Sequence, residues 1–508
     1  MNNSTQQSQK ENPPPLLRNM ISLAGTVLAA ASFFAVTSLI TLDFFHGFRN
    51  PYLGILTYLI TPVFLIIGLT LVAYGVVRER YRRRRQKPDG VPEYPRIDLN
   101  IPRHRRTLIS VAVISFIVLL MTAVGSYRTY EFTESVMFCG KTCHAIMAPE
   151  YTAYQQSPHA RVKCVQCHIG PGATWYVKSK LSGAYQVIAT LTGDYPRPIP
   201  TPIKNLRPAR ETCEQCHWPR EFFGDAERTF YHFLPDEKNS PWLIEMLVKI
   251  GGGNPAFGSV TGIHWHMVIA NKIEYIASDE QRQVIPWVRQ TDRNGQVTVY
   301  QSTDNKLKPD LIAATVPRVI DCIDCHNRPT HIFHSPVDSV DLAMHTGRID
   351  SSIPNIKKQA VQALTKHYAT AAEAIPGIEK TLTNFYQSKY AEFAQNNPRL
   401  ISQAISETQL IYRQNFFPSM KVAWDVYPDN LGHWDFPGCY RCHDGNHTSA
   451  DGKTIIHKCT ACHTIVAQGP PGRRETNLDG VEFKHPVDIG GSWQETNCSE
   501  CHSGDLAE

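Results

Sequence analysis

The chain has 508 residues, a net charge of +5 and fourteen cysteines, a length that admits two or three domains with cores of their own. Residues 78–106 hold eleven Lys or Arg against four acids, +7 in all, so the remainder is mildly acidic. A charge confined to one short loop excludes a nucleic-acid-binding surface spread over the protein, and no nucleic-acid partner is expected.

Residues 19–42, 51–77 and 107–127 contain no charged side chain. Each run exceeds the roughly 20 residues that cross a bilayer's hydrocarbon core. Buried helices of soluble proteins are seldom so long and so free of charge, and three transmembrane helices are predicted within 19–127. The first loop, 43–50, carries Arg49 alone, whereas the second, 78–106, includes Arg82, Arg83, Arg84 and Arg85. Positive loops stay in the cytoplasm. The tail at 1–18 is then cytoplasmic, and everything beyond the third run lies outside. Ala29, Ala30 and Ala31 look like a leader cleavage site, but apolar residues continue to Leu42, which favours an uncleaved anchor.

Beyond the third run every cysteine belongs to a pair that ends in histidine. The pairs are Cys139/Cys143-His144, Cys164/Cys167-His168, Cys213/Cys216-His217, Cys322/Cys325-His326, Cys439/Cys442-His443, Cys459/Cys462-His463 and Cys498/Cys501-His502. Chance placement would give about 0.02 Cys-x-x-Cys-His matches in the chain. A disulfide framework suits an external location but gives no reason for a histidine after every second cysteine. Zinc needs four converging ligands, which pairs this regular and this far apart do not supply. Covalent haem c explains the whole pattern: two thioethers tether the macrocycle and the adjacent histidine reaches its iron. Such attachment takes place on the outer side of the cytoplasmic membrane, where the arginine count independently puts these residues. Seven haems c are expected. The first motif carries one extra residue between its cysteines. From Tyr127 to Cys139 is at most about 43 Å of extended chain, which holds the first haem near the membrane surface.

The stretch FCGKTCHAIMAPEYTAYQQSPHARVKCVQCHIGPG, beginning at Phe138, resembles the opening of the NapC/NirT and NrfH quinol dehydrogenases. In these a span is followed by a haem motif with a nearby methionine, a Ser-x-His-like element and a second motif. The resemblance covers roughly 110–219. The wider layout of three spans, seven motifs and a long external tail is similar to seven-haem inner-membrane cytochromes of metal-reducing bacteria. The resemblance implies a cytoplasmic (inner) membrane location with the haem region in the periplasm. It also offers Met147 as a ligand of the first iron, at a spacing longer than usual, so that both His144 and Met147 are candidates there. The family places a lysine and an acid near its quinol pocket. Lys178 and Lys180 match the lysine region, but the acid is replaced by Tyr185 and Gln186. Glu131, Glu134 and Glu150 are possible substitutes.

Further along, the Pro-rich stretch before Cys213 reads as an extended wrapping segment. IPWVRQTDRNGQVTVYQ reads as a β-hairpin around Asp292–Gly295. Pro354, Pro376 and Pro398 each suit a helix's first position, and Ile356, Ala360 and Leu364 repeat at helical spacing, so three helices are expected over 351–430. Three motifs crowd into 439–502, too few residues for a core without the macrocycles, so the haems themselves are the expected core. The predicted divisions are a tail at 1–18, three transmembrane helices at 19–127, a NapC/NrfH-like module with haems one to three at 128–220, a region with the hairpin and haem four at 221–350, the helical insert at 351–430, and a three-haem module at 431–508. The fold class is a membrane-anchored multihaem cytochrome c whose external region is mainly α or irregular, with a minor β-hairpin.

Thirteen external histidines lie outside the motifs, more than seven irons need, so bis-histidine ligation throughout is feasible. His159, in QSPH, is the leading candidate through the resemblance. His433, His447, His457 and His485 follow, because they stand in short loops dense with motifs. His264/His266 and His331/His334 are paired candidates, of which one each is expected to bind. His232 and His345 complete the set, while His46 and His367 are given no such role. The expected function is quinol oxidation at the first haem, with menaquinol or another quinol as substrate, the bilayer as support and periplasmic cytochromes c as acceptors. Two alternatives are a terminal reductase of a small nitrogen or sulfur oxyanion, which needs an open iron, and a non-catalytic haem-wire subunit of a larger complex.

Overall fold

The computed structural model describes residues 16–17, 19–46, 57, 60–86, 98–142, 144–170, 172–203, 206–218, 222–252, 262–267 and 271–505. Cys143, the start of the second charge-free run at 51–56, the middle of the basic loop at 87–97 and most of the amino-terminal tail lie outside them. The chain divides into two units, Met1–His144 and Ala145–Glu508.

In the first unit the charge-free runs fall in helices α1 (Met20–His46), α2 (Thr61–Gln86) and α3 (Pro102–Thr133). Among the described residues two stretches, Met20–Thr41 and Thr61–Arg83, are long and apolar enough to cross a membrane. The third run lies inside α3, which Pro102 opens at a position whose N–H would have no partner. Helices α1 and α2 run antiparallel and meet through small residues. A Cβ on Gly68 would come within 2.6 Å of the Ala29 backbone nitrogen, and one on Gly25 within 2.7 Å of the Gly68 carbonyl. The close approach lets Asn19 Nδ2 donate to the Gly75 carbonyl at 3.2 Å and Ser22 Oγ to that of Val72 at 3.3 Å. Small residues and interhelical hydrogen bonds of this kind hold helices together where lipid offers no hydrophobic gain. Gly68→Leu is expected to lower the melting temperature of the detergent-solubilised protein, since overpacking costs about 1–3 kcal/mol. Gly125→Leu, with nothing described within 4 Å, serves as the control and should melt with the parent.

Next in the chain come α4 (His144–Gln156), all but its first residue in the second unit, and α5 (Ala173–Thr192). The region expected to hold one hairpin instead builds two antiparallel sheets. One has the order β1 (Asp225–Phe233), β2 (Pro241–Lys249), β8 (His463–Gly469), β9 (Glu475–Thr476). The other runs β6 (Arg318–Val319), β3 (Lys272–Ile276), β4 (Trp287–Thr291), β5 (Val297–Ser302), β7 (His447–Ser449). The predicted hairpin is β4–β5, closed by Gly295 N to the Asp292 carbonyl at 3.0 Å. The strands missed in the sequence pair across long separations, as in Val248 opposite His463, where no turn signal marks the partner. Strands β7, β8 and β9, from the segment expected to form a separate three-haem module, therefore complete sheets begun some 200 residues earlier.

The insert at 351–430 holds α7 (Ile356–Thr365), α8 (Ala371–Lys389), the short helix Ala391–Asn396 and α9 (Pro398–Asn415), and α6 (Pro336–His345), which precedes it in the chain, joins their core. Of the three prolines only Pro398 opens a helix. Pro354 precedes α7, and Pro376 lies inside α8, which starts instead at the Thr370 cap, where Oγ1 accepts Glu373 N. The largest hydrophobic core lies here, around Val340, Ile349, Ile353, Ile356, Ile378 and Leu382. Within it Lys357, 1 % exposed, pairs with Asp341 at 2.5 Å. No cluster of buried apolar residues lies within 431–505, which agrees with too short a segment to build a core alone.

Candidate functional site

Each described motif occupies about one helical turn. Cys164–His168, Cys322–Cys325, Cys459–Cys462 and Cys498–Cys501 are short α-turns, and Gly438–Arg441 is a 3₁₀ turn. Cysteines three apart then share a face. The backbone N–H of the histidine closes on the first cysteine's carbonyl, at 2.8 Å in motifs three, four and seven and 3.0 Å in motif five. The first motif differs in geometry as in sequence. Phe138–Thr142 forms a π-turn, the wider i→i+5 winding that takes up one additional residue.

Around these turns the second unit brings histidines together in pairs. Ring centres are 6.3 Å apart for His168 and His331, 5.9 Å for His217 and His159, and 6.5 Å for His326 and His264. They are 5.7 Å apart for His443 and His266, 6.2 Å for His463 and His433, and 6.0 Å for His502 and His485. Two imidazoles that bind one metal through bonds of roughly 2 Å have centres about 6 Å apart. Five of the six second members are also oriented for it. Nδ1 of His159 donates to the Pro329 carbonyl at 3.4 Å, of His264 to Ile250 at 2.6 Å, of His266 to Ile263 at 2.8 Å, of His331 to Glu150 at 3.0 Å, and of His485 to Val487 at 2.7 Å. A histidine so bonded presents the Nε2 lone pair. Burial lowers the pKa of His168, His266 and His326, and takes His331 and His433 down to about 4. Metal binding requires this neutral form.

Thiol pair and two facing imidazoles are the donor set that covalent haem needs, and the residues fit it. No group of three or more His, Cys, Asp or Glu side chains that could hold a metal ion lies among the described residues. None of the thirteen described cysteines forms a disulfide.

The other candidate histidines stand apart. His447 is saturated: Nδ1 bonds Asp444 at 2.8 Å and Nε2 the Ile285 carbonyl at 2.7 Å, leaving no nitrogen for iron. Burial opposes its charge, yet these bonds outweigh burial and raise its pKa. His457 stands edge-on to Tyr440, and His345 stacks on Tyr231. His232 lies 3.5 Å from Asp341 and stacks on Trp434. His334 is held through its backbone N–H by Asn415. His264 and His266, expected to supply one ligand between them, stand differently from one another. They sit on the 3₁₀ turn Ile263–Met267, where residues two apart point in different directions, and each meets a different motif histidine.

Motifs three to seven also adjoin in succession. The Cys322 thiol donates to Cys213, which raises the pKa of the former and lowers that of the latter. Cys325, pushed up to about 11 by burial, feels Cys439. Cys462 likewise feels Cys439, and Cys498 feels Cys459. A clamp that the motif pattern did not announce locks motifs four and five. Asp324, inside motif four and 2 % exposed at its side chain, accepts Tyr275 Oη at 2.7 Å, Arg318 Nε at 2.8 Å, Arg282 Nη1 at 3.1 Å and its own Asp321 N–H at 2.7 Å. Arg441, inside motif five, donates to the Asp324 carbonyl at 2.7 Å and that of Arg282 at 2.9 Å. The only sequence hint was an acid and an arginine in the middle positions of two motifs.

Of the proposed quinol-site residues, Lys178 and Lys180 stand on α5 over the rings of Trp175 and Tyr176 at 5.1 and 5.0 Å. Glu131 accepts Tyr127 Oη at 3.0 Å, and Glu134 ends α3 in the other unit. Glu150, raised in pKa by burial, lies 3.9 Å from Arg328. Met147 is half-buried on α4, and the side chain of His144 lies outside the described residues.

Residues 101–198 match the NapC/NirT cytochrome c family, N-terminal region. Over 486 residues the chain is 46 % identical to the cytochrome c-type protein ImcH of Geobacter sulfurreducens, an alignment that covers 96 % of this chain and 95 % of that protein. No solved structure matches the chain.

Proposed function

The chain belongs to the ImcH family of cytochrome c-type proteins, with a NapC/NirT region at 101–198, and from that premise we propose an inner-membrane quinol dehydrogenase that delivers electrons from menaquinol or another quinol to periplasmic cytochromes c. Membership alone makes it a membrane-associated electron-transfer cytochrome c; the quinol, the count of seven haems and the orientation are the proposal. Three spans with the arginine-rich loop inside would leave every motif on the periplasmic face. Cys164 and Cys167 would hold the second haem with His168 and His331 on its iron, and Cys213 and Cys216 the third with His217 and His159. His326 with His264, His443 with His266, His463 with His433, and His502 with His485 would close the fourth to seventh. Cys139 and Cys143 would hold the first, with His144 or Met147 as ligand. When bound, the haems supply one-electron redox chemistry, accepting singly the two electrons a quinol yields together with its two protons. Lys178, Lys180, Glu131 and Glu134 are the candidate quinol-site residues.

The observation that carries this reading is the second histidine about 6 Å from each of six motif histidines. If each such pair holds one iron, those irons would offer no vacancy to an oxyanion, which favours electron transfer over terminal reduction. The test is to add a menaquinol analogue to the detergent-purified, matured chain and follow the haem absorption bands. Reduction approaching that achieved by dithionite is expected. Haems that dithionite reduces but quinol leaves oxidised would remove the quinol dehydrogenase reading.

A further inference from the structure

Helix α5 is amphipathic the wrong way round for a protein surface that faces water. Val177, Leu181, Ala184, Ile188 and Leu191 recur at helical spacing and form one stripe. That stripe is the exposed side: Leu181 is 69 % exposed, Ile188 60 % and Leu191 81 %. The side carrying Ser179, Gly183 and Thr190 is the more covered one, and none of the helix's described side chains is buried. Gly193, in the left-handed conformation at φ 74°, ends the helix, with Asp194 N bonding the Ala189 carbonyl at 3.0 Å, so this is a formed helix up to its last turn.

Charge separates the possible occupants of that stripe. Between Glu150 and Asp194 there is no acidic residue, while Arg161, Lys163, Lys178 and Lys180 are basic. Lys180 flanks the stripe on one side and Tyr185 on the other, and Trp175 and Tyr176 lie at the helix's start beneath the two lysine ammoniums. Apolar stripe, flanking cations and amphipathic rings form the composition of a helix that lies in the headgroup layer. A protein partner would be expected to meet the lysines with acids and to cover a stripe of mixed polarity. The chain is also tethered to a bilayer through its apolar helices.

We propose that α5 lies in the bilayer interface, its Val177–Leu191 stripe among acyl chains and Lys178 and Lys180 at anionic headgroups, so that the second unit has a lipid contact of its own. The test uses the full-length, matured chain in nanodiscs of anionic phospholipid that include a phospholipid with a diazirine on its acyl chain. After photolysis, peptides spanning α5 are expected to carry label as the Thr61–Arg83 stretch does, with modification at Leu181, Ile188 and Leu191 and not at Ser182 or Gln186. The variant L181E/I188E should lose the label on α5 while keeping it on Thr61–Arg83. Unlabelled α5 that water-borne hydroxyl radicals modify at Leu181 and Leu191 would overturn the proposal. Unlabelled α5 protected from those radicals as well would also overturn it, in favour of a protein surface covering the stripe. Neither outcome touches the haem assignments, because the readout is independent of redox activity.

Discussion

Asp324→Ala is expected to destabilise the second unit by about 3–5 kcal/mol, the cost of leaving buried cations without their counter-charge. The carboxylate is 2 % exposed and is the shared acceptor of Arg282, Arg318 and Tyr275. Its removal leaves two guanidinium groups and a phenol facing each other around a small void. It also deletes the bond from Asp321 N that closes the motif-four turn, so Cys322 and Cys325 lose their common orientation. Asp324→Asn keeps one acceptor oxygen and should lose less. Arg441→Ala removes donors to the Gly438, Arg282 and Asp324 carbonyls, the last of which keeps Asn430 Nδ2, and an intermediate loss is expected. The measurement is the midpoint of thermal unfolding of the matured protein, followed by circular dichroism in the haem region, with haem content by mass. An Asp324→Ala protein that melts with the parent and carries a full set of haems would show that the clamp is dispensable.

His266→Ala is expected to open one iron. In the proposed pairing His266 stands opposite His443 on the fifth haem, so its loss should convert about one-seventh of the low-spin haem signal to high spin. Added imidazole should restore the low-spin form, because the vacancy has the size of the ring removed. His447→Ala is the matched control. It lies four residues from the same motif histidine, but both of its nitrogens are already bonded, so the spin state should not change even if stability falls. Electron paramagnetic resonance of the oxidised protein distinguishes the two variants. A wholly low-spin His266→Ala spectrum would break the assignment of this pair, and with it the reading of neighbouring ring centres as axial partners.

The legible part of the site is the covalent part. Thioether tethers need two thiols one turn apart, and the adjacent histidine follows along the same turn, so Cys164, Cys167 and His168 announce themselves within five residues. The extra residue in the first motif was equally visible, and the π-turn at Phe138–Thr142 shows how the backbone takes it up. His159 was singled out through its resemblance to a family element, and it does face a motif histidine, though that of motif three. Crowding near motifs proved a poor guide elsewhere. His433 and His485 face motif histidines, whereas His447 and His457, in loops just as dense, do not. His264 and His266, two residues apart, each face a motif histidine, because a 3₁₀ turn splays them toward two motifs.

The apolar runs, the charge asymmetry across them and the seven thiol–histidine motifs follow from the sequence by itself, because membrane insertion and haem tethering depend on the order of residues within one helix or one turn. Which histidine faces which motif histidine was decided only in the folded chain, since His331 reaches His168 and His159 reaches His217 across long, crossing stretches. The two sheets were likewise decided there, as β8 finds β2 more than 200 residues back. A histidine's place opposite a motif histidine is a property of packed backbone, with carbonyls such as those of Glu150 and Ile250 aiming the ring, and no local spacing encodes it.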